Sequence, residues 1–370
     1  MSEPESVDPD VAPSTGTTRR GLFAAVGAAG AAGAAGWVIG RALPQADAPA
    51  TGAAESPLAE EDALAAHRRP GITSPAVPQR HAVVEVLALP GVSAAALRER
   101  VRAAQSSLPS QTEDAGDVTV TIGFSAAHAK VLWPERAASA SELPSFASDD
   151  ADIVTGGDIA VQVCAETASA ARDVAAHLWG ALGDPVPVWT QTGYRDAPTP
   201  HGTSRTGLGF IDGIMNPSTA EELDAGVWSD RQHQDTHWVL RRIRVSGEFG
   251  RLSHGQQERA VGRHRDSGAP LSGGGERDEI DLFAKESDGT LLIPADAHAR
   301  RAHPAHIGRA LMLRRSYSAD LEGDAGLLFV AFLSDPTTFV LTQRRLDEMD
   351  ALIAHTRTEA SGLFFVPGDD

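Results

Sequence analysis

The chain has 370 residues, of which 42% are hydrophobic, and its 50 acidic and 32 basic residues give a formal net charge of −18. This length suffices for two packed domains or one large domain, and the negative charge argues against nucleic acid or an anionic membrane surface as a partner. Cys164 is the single cysteine, so an internal disulfide is excluded.

The first 50 residues are typical of an export signal. A twin arginine, Arg19–Arg20, precedes an Ala/Gly-rich apolar run to about Gly40, and Ala-x-Ala-type cleavage sites follow near Ala50. The pattern predicts a twin-arginine signal over residues 1–50, with export through the twin-arginine translocase to the cell envelope or the extracellular space. An uncleaved membrane anchor is the alternative, since the apolar run reaches the roughly 18 residues that begin to suggest a span. However, Gly and Ala contribute little apolar area.

The region from 51 to 200 begins with a segment rich in Ala, Glu and Pro at 51–69, which predicts a disordered linker. Residues 70–200 then show strand and helix periodicities in the order βαββαβ, which is typical of a ferredoxin-like domain. The third strand alternates between two faces, one of which carries Ile159, Val161 and Val163. The predicted strands are Ala82–Leu87, Val118–Phe124, Ile159–Cys164 and Val186–Thr192, and the predicted helices are Ser93–Ala104 and Ala171–Leu182.

Residues 201–370 repeat this order less regularly, so we expect a second ferredoxin-like domain and an α+β fold class. Ser267–Pro294 predicts a long loop. Its three glycines, Gly273–Gly275, lack the Lys-Ser/Thr ending of a phosphate-binding loop. The predicted strands lie near His237–Val245, Leu311–Tyr317, Leu327–Leu333 and Leu363–Val366, and the predicted helices lie near His254–Val261 and Thr338–His355.

Three short motifs in this second half carry residues that suit catalysis. Asp212 lies in a glycine-flanked stretch, His298 lies in Asp-Ala-His-Ala-Arg, and Arg314 begins an arginine pair. Taken alone, each motif also has a purely structural explanation. The aspartate is typical of an Asx-type turn, the histidine of a hydrogen-bonded surface or core residue, and the arginine pair of solvated or salt-bridged side chains. His303 and His306 leave a zinc cluster open, although the spacing of the histidines is not that of a helical metalloprotease.

The order and spacing of the three motifs resemble the dye-decolorizing peroxidases, a family of haem enzymes. The resemblance extends from about Pro70 to Pro367. It implies two ferredoxin-like domains packed into a barrel-like α+β fold, with haem b in the C-terminal domain and the loop 267–294 over it. Further matching segments are Pro70–Thr73, Thr119–Phe124, Gly156–Gln162, Arg241–Arg244, Gly262–Leu271 and Gly326–Phe332.

The resemblance also implies roles for individual residues. His298 matches the proximal iron ligand, Asp212 the distal acid-base, and Arg314 the distal arginine that stabilises charge as the O–O bond breaks. Gly213 belongs with the cofactor-binding residues, as does Arg205, which we expect to pair with a haem propionate. These roles imply reduction of hydrogen peroxide, one-electron oxidation of phenolic or dye-like donors, and an acidic optimum, because Asp212 must be ionised.

The chain departs from the family pattern at two places. Ile214–Met215 replaces a small or polar pair, which predicts a more apolar distal pocket. The carboxylate partner of the proximal histidine aligns with Ala354, and Asp350, one helical turn earlier, is a substitute. Adjacent strand residues point to opposite faces, so only one of Arg314 and Arg315 is expected to face the iron.

Other functions stay open at this point. A haem-handling protein of an iron-uptake system (deferrochelatase-like) is the alternative to the peroxidase, and a haem-storage protein is a third reading. Encapsulin cargo is disfavoured because the chain ends without an obvious docking peptide. A homo-oligomer is left open. The aromatic residues available to carry electrons from large donors are Trp189, Trp228, Trp238, Tyr194 and Tyr317.

Overall fold

The computed structural model of the protein describes residues 63–108 and 118–369. The predicted signal and most of the predicted linker lie outside the described residues. Within the described ranges, no helix has both the length and the apolar character that a membrane crossing requires.

The predicted order of strands and helices in the first half is confirmed, with additional short elements. Ser93 and Thr167 cap two helices by accepting hydrogen bonds from backbone N–H groups of the first turn, as expected for hydroxyl side chains at that position. The elements are β1 (His81–Ala88), α1 (Ala94–Ser106), β2 (Thr119–Ser125), α2 (Ala126–Leu132), β3 (Asp149–Val154), β4 (Ile159–Ala165), α3 (Ala168–Leu182) and β5 (Val186–Tyr194).

The second half has a similar order of longer elements, interrupted by short ones. Two 3₁₀ helices, Pro304–His306 and Ile353–His355, occur among its described residues. The other elements are β6 (Ser204–Arg205), β7 (Ile211–Asp212), α4 (Ala220–Gly226), β8 (Thr236–Val245), α5 (Gly247–Arg251), α6 (His254–Val261), α7 (His298–Arg301), β9 (Leu313–Arg314), β10 (Tyr317–Leu321), β11 (Asp324–Leu333), α8 (Pro336–Met349) and β12 (Thr356–Val366).

Strands of both halves form one closed sheet. Its order is β10-β5-β1-β4-β2-β12-β8-β11, and pairing of β10 with β11 closes the ring. The two halves join where β5 meets β10 and where β2 meets β12. This arrangement confirms the predicted barrel-like α+β fold, because a sheet that closes on itself forms a barrel and has no free edge.

Alternation along the strands divides the core into two layers. Ala160 and Cys164 of β4 belong to a cluster that also holds Trp238 and Phe364 from the second half, so this cluster fills the barrel. Ile159, Val161 and Val163 face outward, where they pack with α1 and α3. The predicted alternation of β4 is therefore confirmed.

Two predicted elements of the second half are corrected. The strand predicted over Leu311–Tyr317 is split into β9 and β10, because Val330 accepts from the N–H of Arg315 at 2.9 Å and donates its own N–H to the Ser316 hydroxyl at 3.3 Å. The helix predicted over Thr338–His355 ends at Met349, since Asp350 adopts an extended backbone.

The segment 267–294 is a loop, as predicted. It contains isolated bridges but no helix or strand. Ile280 and Ile293 pack with Ala297 in a small buried cluster next to α7. The loop is therefore fastened to the helix that carries His298.

Candidate active site

Asp212 is the last residue of β7, which pairs with β6. Gly213 follows with a φ of +85°, a left-handed conformation that glycine adopts without steric cost. This turn directs the Gly213 N–H at the carboxylate, where it donates to Asp212 Oδ1 at 2.7 Å. The glycine after the aspartate thus fixes the orientation of a half-buried carboxylate.

Arg314 reaches the same carboxylate from β9. Its Nη2 donates to Asp212 Oδ1 at 3.2 Å, and its Nη1 donates to the Met215 carbonyl at 3.1 Å. The side chain of Asn216 holds the Arg314 backbone, accepting from its N–H at 3.0 Å and donating to its carbonyl at 2.8 Å. Asn216 was not singled out by the sequence, although it lies within the motif of Asp212.

These contacts decide the charge of Asp212. Burial raises the pKa of its carboxyl, but the Arg314 guanidinium, the Gly213 N–H and the charge of Arg195 together outweigh burial, so the net pKa lies below the usual range. Asp212 is therefore ionised more readily than an ordinary aspartate.

His298 begins α7 and has a buried carboxylate partner. Its Nδ1 lies 2.9 Å from Asp350 Oδ2. The other oxygen, Oδ1, accepts from the N–H groups of Leu352 and Ile353, each at 2.8 Å. Asp350 is thereby locked, and an ionised carboxylate only accepts hydrogen bonds, so Nδ1 carries the proton. Nε2 has no partner among the described residues.

The structure confirms Asp350 as the substitute for the carboxylate that is missing at Ala354. Ala354 is exposed, whereas the Asp350 side chain is fully buried. Burial lowers the pKa of His298, but the charge of Asp350 and its hydrogen bond outweigh burial and raise the net pKa.

The neighbouring histidines do not join His298 in a metal cluster. His303 uses both ring nitrogens, since Nε2 contacts Glu279 at 2.8 Å and Nδ1 accepts from the Ala305 N–H at 3.2 Å. His306 is exposed. In the part of the chain that is described, the one group with metal-ligand geometry is Asp230, His233 and Asp235, away from these histidines in sequence.

Asp212, Arg314 and His298 all line one cavity of about 290 Å³. Ile214 and Met215 also line it, which agrees with the apolar distal pocket predicted for this pair. The other apolar residues of its wall include Phe210, Ile243, Val245, Ile280, Leu311, Leu327, Phe329, Phe339, Leu346 and Leu352.

The donor set of this cavity fits a haem. An apolar wall suits the macrocycle. The unpartnered Nε2 of His298 has the chemistry of an imidazole ligand and would be able to bind iron. Arg263 and Arg314 also line the wall and would supply cations for the carboxylates of a haem. No other described histidine combines a cavity position with an unused ring nitrogen and a buried carboxylate partner.

Three other residues that the sequence singled out are not part of this wall: Gly213, Arg205 and Arg315. Arg205 donates to the carbonyls of Gly209, Arg265 and Asp266 at 2.8, 2.6 and 2.6 Å, so its guanidinium holds the loop beside β7. Its pairing with a haem propionate stays a prediction. Arg315 is buried and donates to the Pro75 carbonyl at 2.9 Å, so Arg314 is the member of the pair that lines the cavity.

Comparison with known proteins finds two matching family models. The model described as Dyp-type peroxidase, N-terminal, matches residues 80–195, and the model described as Dyp-type peroxidase, C-terminal, matches residues 203–370. A dye-decolorizing peroxidase of Thermobifida fusca is 34% identical over 409 residues, covering 95% of this chain and 94% of the relative. A deferrochelatase of Escherichia coli is 31% identical over 288 residues, covering 67% and 66%.

Comparison with solved structures also finds Dyp-type peroxidases. Ferric DtpA from Streptomyces lividans has a TM-score of 0.73 and 33% identity, over 82% of this chain and 92% of that one. A DyP-type peroxidase from Cellulomonas bogoriensis has a TM-score of 0.69 and 29% identity, over 80% and 91%. A Rhodococcus jostii DypB variant in complex with haem, at 18% identity and a TM-score of 0.62, shares the fold.

Proposed function

We propose that this chain, which belongs to the Dyp-type peroxidase family and is a haem peroxidase, reduces hydrogen peroxide with Asp212 and Arg314 and holds the haem iron with His298. One observation carries the proposal. A carboxylate held ionised by an arginine and a histidine held by a buried carboxylate line the same apolar cavity. The first pair suits proton transfer, and the second suits iron ligation.

A haem held by His298 would supply the iron and the oxidising equivalents that peroxide reduction requires. Asp212 is ionised when peroxide arrives, so it accepts the proton of the oxygen that approaches the iron. It then returns this proton to the second oxygen, which leaves as water. One carboxylate performs both transfers because its oxygens reach both positions by a small rotation or through one water molecule.

Arg314 has two tasks in this scheme. Its charge keeps Asp212 ionised, and it stabilises the negative charge that develops on the departing oxygen. The bonds to Met215 and Asn216 hold the guanidinium and the backbone in place before the reaction, so little reorganisation is required.

His298 and Asp350 would serve iron binding rather than proton transfer. The Nδ1–H donated to Asp350 fixes the tautomer, leaves Nε2 available for iron, and makes the imidazole a stronger electron donor. The apolar wall limits water around the reacting groups.

The electron donors are proposed to be phenolic or dye-like aromatic compounds. Among the aromatic residues named as carriers, Tyr194 is exposed, whereas Trp189, Trp228, Trp238 and Tyr317 are buried. Tyr194 on β5 pairs with Ser318, the neighbour of Tyr317. An electron from a large donor would therefore enter at Tyr194.

Export through the twin-arginine translocase, and with it a location in the cell envelope or outside the cell, is proposed from Arg19–Arg20 and the apolar run that follows. That route carries folded proteins, which suits a protein that binds its cofactor before export.

The peroxidase proposal is tested by mixing the haem-loaded protein with one equivalent of hydrogen peroxide in a stopped-flow spectrometer. We expect a rapid change of the Soret band that reverses when a phenol is added. Asp212→Asn should slow this change by about 10²- to 10⁴-fold without altering the ferric spectrum. Asp196→Asn, which changes an exposed aspartate, is the matched control. Equal rates in the two variants would refute the role of Asp212.

A second candidate is haem handling, favoured by deferrochelatase relatives of Escherichia coli and Yersinia pestis at 31% and 33% identity. It predicts release of iron from bound haem without peroxide. Anaerobic incubation of the haem-loaded protein, followed by an assay of free iron and of metal-free porphyrin, decides between the two functions.

A further inference from the structure

Trp228 donates a hydrogen bond to a histidine. Its indole Nε1 lies 2.9 Å from His67 Nδ1, and the planes of the two rings differ by 9°. An indole nitrogen only donates, so Nδ1 accepts and the proton of neutral His67 is on Nε2. This Nε2 faces Asp224 Oδ1 at 3.6 Å. The three side chains thus form a row from an indole to an imidazole to a carboxylate.

The other buried aromatic residues named as electron carriers have no such base. The indole nitrogens of Trp189 and Trp238 are buried without a hydrogen-bond partner among the described residues. Tyr317 donates its hydroxyl to Cys164 Sγ at 3.3 Å, and a thiol sulfur is a weak acceptor. Trp228 is therefore the buried carrier whose proton has a base to go to.

The row leads from the interior to the surface. Trp228 is 3% exposed, whereas the side chains of His67 and Asp224 are 15% and 24% exposed. The second oxygen of Asp224 contacts the exposed Arg231 at 3.3 Å. A positive charge is costly on a buried indole and less costly on an imidazole near water and a carboxylate. Transfer of the indole proton to His67 would therefore move positive charge outward.

Trp228 also lies close to the candidate active site. A Cβ at Gly226, two residues earlier, would lie 2.1 Å from the Leu311 carbonyl oxygen, and Leu311 lines the cavity. Consecutive Cα atoms are about 3.8 Å apart, so the Trp228 Cα lies within about 8 Å of the Gly226 Cα. Trp228 and Leu313, the neighbour of Arg314, belong to the same buried cluster. The indole is thus part of the packing behind the cavity wall.

We propose that Trp228, His67 and Asp224 form a proton-coupled electron relay, a second point of donor oxidation beside the one at Tyr194. One electron passes from the indole to the haem site that peroxide has oxidised, the indole N–H bond breaks, and its proton moves to His67 Nδ1. Asp224 stabilises the resulting imidazolium.

The relay is reset by a phenolic donor at the surface. The donor gives one electron to the indole and releases its own proton to water, and the proton on His67 returns to the indole nitrogen. The relay rests on the proposed peroxidase function, because that function supplies the oxidant.

The test is electron paramagnetic resonance of the haem-loaded protein, frozen shortly after mixing with one equivalent of hydrogen peroxide and no donor. The Soret band is followed in parallel. We expect a tryptophan radical without the coupling of an N–H proton, because the indole has lost that proton. Trp228→Phe should lose this signal. Trp189→Phe removes a similarly buried indole that has no acceptor, so this control should keep the signal.

The Soret band separates the relay from the function on which it rests. A Soret change without a tryptophan radical, or with a tyrosine radical alone, would overturn the relay and leave the peroxidase function intact. A tryptophan radical that persists in Trp228→Phe would also overturn the relay. A Soret band that does not change would refute the peroxidase function, and the relay with it.

His67→Gln tests the proton acceptor. Glutamine offers an oxygen to the indole N–H but does not take up its proton, so the deprotonated radical should be lost while the Soret change keeps its rate. His177→Gln changes an exposed histidine on α3 and is the matched control, which should keep the radical. An equal signal in both variants, again without the N–H coupling, would refute the role of His67.

Discussion

Arg314 connects the charge of the candidate site to its pH dependence. Its guanidinium lies 3.2 Å from Asp212 Oδ1 and helps hold the pKa of that carboxyl below its usual range. Activity that requires ionised Asp212 is present above this pKa and is lost as the pH falls through it. Arg314→Leu removes the charge, so the pKa rises and the acidic limb of the rate profile moves to higher pH.

The measurement is kcat/KM for hydrogen peroxide across the acid range. Arg314→Lys keeps a positive charge and is the control, so its limb should move less than that of Arg314→Leu while both variants lose rate. A limb that stays in place in Arg314→Leu would mean that Asp212 is not the group that titrates.

Asp350 gives a prediction about haem binding. Asp350→Asn keeps a side chain that can accept from backbone N–H groups but removes the charge that His298 faces at 2.9 Å. We expect haem affinity to fall by about 10- to 100-fold, as for other outer partners of metal-bound histidines. Titration of the haem-free protein with haem measures the Kd.

A resonance Raman spectrum of the ferrous protein separates this effect from misfolding. The iron–histidine stretch should move to lower frequency in Asp350→Asn, because the imidazole donates less electron density. An unchanged frequency together with weaker binding would assign Asp350 a structural task, the capping of Leu352 and Ile353.

Residue types and motifs pointed to Asp212, His298 and Arg314, which the structure brings to one cavity, and to Asp350 as a substitute partner of His298, but not to Asn216. Asp350 lies one helical turn before Ala354 in the sequence. The predicted helix over Thr338–His355 would have continued through Asp350, whereas in the structure Asp350 has an extended backbone. The chain leaves α8 at Met349, and this exit turns the carboxylate toward His298. Asn216 bonds to the backbone of Arg314, a long-range contact that no local pattern contains.

At the scale of elements, two glycines give opposite predictions for the same substitution. A Cβ at Gly193 in β5 would lie 2.5 Å from the Tyr317 Cβ and 3.3 Å from Leu328 Cδ2, whereas a Cβ at Gly180 in α3 meets nothing within 4 Å. Gly193→Ala should lower the free energy of unfolding by about 1–3 kcal/mol through overpacking. Gly180→Ala should raise it by about 0.5–1 kcal/mol through helix propensity.

Denaturant unfolding of the two variants and the unchanged protein measures both values. Loss of stability in both variants would contradict the account of Gly180, and no loss in Gly193→Ala would mean that β5 and β10 are less tightly packed than the structure shows.

Periodicity found the long elements because their apolar faces repeat over many residues. It placed β4 and α3 within a few residues of their observed bounds. It did not find α2, β3 or α4, which span 7, 6 and 7 residues and so offer few repeats. The break between β9 and β10 depends on bonds to Val330, on another strand.

At the scale of the whole molecule, the order of elements predicted two similar halves, but not how tightly they join. The proposed division into 70–200 and 201–370 separates segments whose strands share one ring. Val84 and Val330, one from each half, are fully buried in the same cluster. Closure depends on pairings between strands far apart in sequence, which local patterns do not specify.

The shared core predicts that the described part of the chain unfolds in one cooperative transition. Val84→Ala and Val330→Ala should each destabilise by about 2 kcal/mol, since each removes buried methyl groups from the same interior. Scanning calorimetry of the haem-loaded protein should show both substitutions lowering one common transition. If the halves were independent, each substitution would shift only one of two transitions, because a cavity in one core would leave the other core intact.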